Sequence, residues 1–117
     1  MSSSPLCDFD RRSIEELIGE GVEMKYDHSL SQKKPSGLWR YDEYLVCINP
    51  TIQEMKGEIF EDIVILHEWL HAYEDIILDS YKDFRETQIE WWAHAHLRRD
   101  RYIAKYARSF FPEFRMI

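Results

Sequence analysis

Cysteine is scarce in this chain. Cys7 and Cys47 are too few and too far apart for a cysteine metal site, and two free thiols are expected rather than a disulfide. Long apolar runs are missing too: the cluster at 76–78 ends at once in Asp79 and Ser80, so no transmembrane segment is expected. Residues 1–5, MSSSP, hold neither the basic segment nor the apolar stretch of a signal peptide, which makes a cytoplasmic location the expectation. Basic residues are outnumbered, 15 against 22 acidic, and the resulting charge of −7 argues against nucleic acid as the main partner. Arg98, Arg99, Arg101, Lys105 and Arg108 are a local exception. At helical spacing they read as a solvated arc, with a docking patch as the alternative. No internal repeat and no low-complexity tract beyond the first serines is present.

What is there suits one folded domain spanning residues 1–117. Seven Tyr, six Phe and four Trp mean that large rings build much of the core. A first helix is expected over residues 10–18, capped by Asp10, apolar at Ile14, Leu17 and Ile18, and stopped near Gly19 and Gly21. Residues 22–26 alternate at period two and predict a strand; 38–41 and 44–48 predict two more, hinged near Asp42 and Glu43. The polar segment 28–37, with Pro35 and Gly37, reads as a loop. Beyond Asn49 and Pro50, Ile52, Met55, Ile59, Ile63, Leu66 and Leu70 recur at helical steps, and Gly57 moves the main helix start toward Glu58. A last long helix is expected over 84–110, with Ile89, Trp92, Ala93, His96, Ile103, Ala104 and Ala107 as its buried stripe. The predicted class is α+β: an N-terminal helix, a small three-stranded antiparallel sheet and two long packed helices.

The chemistry concentrates at His67-Glu68-Trp69-Leu70-His71. Residues four apart share a helix face, so His67 and His71 can aim ring nitrogens at one ion. Glu68, one residue round, reaches a water on that ion rather than the ion itself. Zinc in a catalytic site takes three protein ligands and leaves a fourth position for water; Glu68 then serves as general base and acid in attack on a carbonyl. The third ligand is expected from Glu90, with Glu86 one turn earlier as the alternative, and Ala93 as the small residue that lets the two helices approach. His94, a turn beyond Glu90, is a candidate for oxyanion stabilisation or for holding a ligand; a plain exposed histidine is the other reading. His96 belongs to the packed stripe. Trp69, Trp91 and Trp92 flank the motif, as core aromatics or as walls of a cleft. An edge strand, with 38–41 as the candidate, can hold an extended peptide by backbone pairing.

HEWLH at 67–71 with EWWAH at 90–94 resembles the gluzincin metallopeptidases, and the chain's size and element order resemble the minigluzincins. Their zincin-like fold is similar to the catalytic cores of membrane peptidases of the HtpX and prenyl-protease type. The resemblance implies zinc bound by His67, His71 and Glu90, with Glu68 as the catalytic carboxylate. His94 stands where related peptidases carry Asp or Asn. It also implies a homo-oligomer and a latent, zymogen-like protease whose C-terminal segment fills the cleft. Residues 109–117 are apolar enough for that, with Glu113 meeting the zinc and Phe114 or Met116 in a side-chain pocket; closure of the core or of a subunit interface is the other account. The expected activity is zinc-dependent hydrolysis of a peptide or protein substrate. The alternative is a non-catalytic, zinc-stabilised interaction module.

Overall fold

The computed structural model describes residues 4–30, 35–79 and 84–114. Helix α1, Arg11–Gly19, begins where expected: the Asp10 side chain accepts from Ser13 N–H, and Ser13 Oγ accepts from Asp10 N–H, closing a capping box. Ile14 and Leu17 are fully buried from its inner face. Gly21, at φ +106°, turns the chain into strand β1, Glu23–Tyr26. Strand β2, Gly37–Arg40, and strand β3, Leu45–Ile48, follow. A turn through Tyr41–Glu43 joins them, and Tyr44 closes it in the left-handed region at φ 50°.

The sheet departs from the expected antiparallel meander. Its order is β1-β3-β2, with β2 antiparallel to β3 but β1 parallel to it. The burial of β3 explains the order. All four of its residues are buried, so it takes the centre, whereas β1 alternates and suits an edge. Alternation in 22–26 specifies which face is buried, but not the direction in which the strand joins its neighbour.

Helix α2, Ile52–Lys56, and helix α3, Glu58–Ala72, are separated by Gly57 at φ +97°. Ile65, Leu66, Trp69 and Leu70 are fully buried on the inner face of α3, while Met55 and Ile59, expected on the apolar stripe, are exposed. A π turn, Tyr73–Ile77, prolongs α3. The long final helix is two. Helix α4, Glu86–Arg99, ends at Asp100, and helix α5, Ile103–Arg108, restarts beyond it. Asp100 is extended, its Oδ1 accepts from Tyr102 N–H, its carbonyl accepts from Ile103 N–H, and its carboxylate clamps Arg11 at 2.6 and 2.9 Å. An aspartate that bonds the backbone two residues on and pairs across to α1 outweighs continued helical propensity. Ile89, Ala93, His96, Ile103, Ala104 and Ala107 are nevertheless all buried, with Trp92 half-buried.

Two further expectations are corrected. Arg108 is not part of a solvated arc: its side chain is buried, donating to Glu61 at 2.8 Å and Asp62 at 2.6 Å. Glu113 and Phe114 do not approach the histidine pair. Glu113 Oε1 accepts from Tyr26 N–H at 3.0 Å, at the β1 edge, and the buried Phe114 ring stacks on Tyr26 at 4.0 Å. These residues therefore shield a sheet edge and complete the core. Met116 lies outside the described residues.

Candidate metal centre

The core-facing residues of α3 set the direction of its histidines. With Leu66, Trp69 and Leu70 turned inward, His67 and His71 emerge along the flank that meets α4, about one-sixth and one-fifth exposed. Their rings lie 4.9 Å apart. Ala93, fully buried on α4, allows close approach, and Glu86 and Glu90 enter from the same helix.

Both Nε2 atoms converge on Glu86: His67 Nε2 lies 2.8 Å from Oε1, and His71 Nε2 lies 3.0 Å from Oε2. The other nitrogens have separate carboxylates. His67 Nδ1 is 2.7 Å from Glu90 Oε1, and His71 Nδ1 is 3.5 Å from Glu74 Oε1. Ligand atoms of His67, His71 and Glu86 all lie within 4.8 Å of one another, a grouping that does not include Glu90. Glu90 sits one step back, between His67 and His94, whose Nε2 is 3.2 Å from Glu90 Oε2. His94 is thus placed on Glu90 rather than on the histidine pair. Two imidazole nitrogens and one carboxylate oxygen form a donor set that zinc accepts, so the residues fit the expected ion.

Charge within this cluster is strongly coupled. Burial alone would lower the His67 pKa, but Glu68, Glu90 and Glu86 outweigh it and raise it. Burial pushes Glu86 up, and the two histidines pull it net downward. Both ring nitrogens of His67 face carboxylates, which favours the imidazolium; a cation at Nε2 would take that proton's place. Glu68 is 8 % exposed, and burial, opposed by His67 and His71 and aided by Glu86 and Glu90, raises its pKa to about 7. A carboxyl titrating there is matched to proton transfer near neutral pH.

Two participants escaped the sequence reading. Gly37, taken there as loop, begins β2 against Glu68. A Cβ on it would fall 2.8 Å from Val64 Cγ1, 3.0 Å from Glu68 Cγ and 3.2 Å from Glu68 Oε2. Its want of a side chain is what lets the edge strand approach the carboxyl; a glycine directly before an apolar strand was the available signal. Glu74, in the turn after His71, is buried within the π turn. Among the tryptophans, Trp69 is core, donating to Met24 Sδ at 3.3 Å. Trp92 packs on His96, and Trp91 is exposed, edge-on to Trp92. His96 is buried, its Nε2–H donating to Leu6 O at 2.7 Å, and burial lowers its pKa. Two cavities of about 540 and 620 Å³ are lined by other residues, around Cys7 and Arg99 and around Lys25 and Arg40 respectively.

Comparison with protein-family models, curated proteins and solved structures finds no match.

Proposed function

We propose that the chain is a zinc-dependent peptide hydrolase of gluzincin type. The observation that carries this reading is the convergence of both histidine Nε2 atoms on an α4 carboxylate, beside a buried glutamate poised near neutrality. When bound, zinc supplies Lewis acidity toward a carbonyl oxygen and toward water. His67 and His71 offer the nitrogens. The third ligand is an α4 carboxylate: the resemblance points to Glu90, while the grouping of donor atoms favours Glu86. Glu68 takes the proton from the attacking water and returns it to the leaving amine.

Strand β2 is the fitting peptide dock. It is an outer strand, it abuts Glu68 through Gly37, and the opposite edge at Tyr26 N–H is already occupied by Glu113. An extended substrate paired to β2 would run past Glu68. Access needs no removal of Glu113 or Phe114, so latency through these two residues is not part of the proposal.

A non-catalytic, zinc-stabilised module is the second reading: were Glu90 to leave His67 Nδ1 and join Glu86 on an ion at Nε2, no position would remain for water. Glu68→Gln discriminates. It should retain zinc and abolish hydrolysis across a peptide library; undiminished cleavage would sink the mechanism. Zinc affinities of Glu86→Gln and Glu90→Gln assign the third ligand, the ligand being the one whose loss weakens binding more.

A further inference from the structure

Glu74 is acidic in apolar surroundings, where His71 and the Phe84 backbone are the groups that favour its charge. It is 3 % exposed, between buried Ala72 and Tyr73 and the half-buried Ile76, where an apolar residue would bury at no electrostatic cost. It lies in the π turn, whose wider winding is marked by Leu78 N–H donating five residues back to Tyr73 O at 3.0 Å. Its Oε2 has no hydrogen-bond partner among the described residues, while Oε1 stands 3.5 Å from His71 Nδ1. That ring's Nε2 faces the opposite way, 3.0 Å from Glu86 and beside His67 Nε2. His67 shows the same division, with Glu90 on Nδ1 and Glu86 on Nε2.

We propose that Glu74 is a positioning residue, holding His71 with Nδ1–H turned inward so that Nε2 presents its lone pair to the metal. The proposal rests on the metal-site reading above. An imidazole whose far nitrogen donates to a carboxylate is fixed in tautomer and ring orientation, and it is a better ligand for both reasons. The buried carboxylate is tolerated because the ligand it orients is needed, not because it helps the fold.

The test compares the full chain with Glu74→Met and Glu74→Asp. Ring nitrogen–proton correlation spectra of the metal-free proteins, recorded in a Glu86→Ala background that removes the carboxylate 3.0 Å from His71 Nε2 and at a pH where the histidines are neutral, report the tautomer of His71. The parent should show Nδ1–H, and Glu74→Met should move toward Nε2–H. Chelator competition should find zinc bound about 10–100-fold more weakly by Glu74→Met. Thermal unfolding of metal-free Glu74→Met should match or exceed the parent, so affinity and stability part company, which a purely structural residue would not produce. Glu74→Asp keeps the charge but withdraws it by one methylene, perturbing the core less; it should show the same tautomer shift and an intermediate loss of affinity. An unchanged His71 tautomer together with zinc affinity within about twofold of the parent, in whichever variant folds, overturns the proposal. If the parent binds no zinc, the metal-site reading fails, and the tautomer still decides whether Glu74 holds the ring.

Discussion

Replacing Glu68 by Gln should make the metal-free protein more stable, by an amount that grows from about pH 5 and levels off above neutrality. Glu68 is buried, and its pKa rises from the ordinary 4.5 to about 7 in the folded chain. A group that binds its proton more tightly when folded contributes stability that is complete below its unfolded value and is lost as pH rises through its folded value. The window is therefore pH 4.5 to about 7, with stability falling upward through it. The shift corresponds to about 3 kcal/mol between the two protonation states, of which about 2–3 kcal/mol is lost between pH of about 5 and 8.5. His67, whose pKa is also raised, adds a loss of the same sign, and removing the Glu68 charge reduces that loss too. Urea unfolding in a chelator, followed by tryptophan fluorescence, measures it. Near pH of about 5 the variant and parent should agree within about 1 kcal/mol, and near about 8.5 the variant should lead by about 2–3 kcal/mol. A variant equally or less stable at both would refute the claim that this carboxyl is buried at an electrostatic cost.

Gly37→Ala should displace Glu68, since the new methyl overlaps Val64 and the Glu68 stem; a cost of about 1–3 kcal/mol and a fall in kcat with zinc affinity retained are expected by denaturation, peptide assay and zinc titration. Arg108→Ala leaves Glu61 buried without its cation and Asp62 with only Lys105 at 3.5 Å, and should cost about 3–5 kcal/mol in a urea melt, whereas an equal change at exposed Arg98 should stay within about 0.5 kcal/mol. Deleting residues 109–117 should lower the Tm by removing the Phe114–Tyr26 stack and the Glu113 contact, and hydrolysis should not rise; a stable, activated truncation would restore the plug.

The legible parts of this molecule were those in which a local rule acted alone. Asp10 caps its helix by a bond to Ser13, and Gly57 breaks the next by a positive φ, both within a few residues of chain. His67, Glu68 and His71 were legible because helical phase brings them together without help. Features decided by distant partners were not. Asp100 ends α4 because Arg11, 89 residues earlier, meets it. Arg108 looked like surface charge until Glu61 and Asp62 enclosed it. The place of β1 in the sheet depends on β3 being the strand buried along its whole length. The tail's apolar residues announced burial, but only Tyr26 shows where. In the site, Glu86 and Glu90 share one helix face, so sequence could name the helix but not which carboxylate meets which nitrogen; that depends on how the His67 ring is turned.

The measurement that bears most directly on the proposed zinc centre is an anomalous difference map, recorded at the zinc edge from crystals grown with zinc. One peak per chain is predicted, bonded by Nε2 of His67 and His71 and by one α4 carboxylate, with a remaining position open toward Glu68 and β2. No peak between the two histidines, or a peak closed by four protein groups, would contradict the hydrolase.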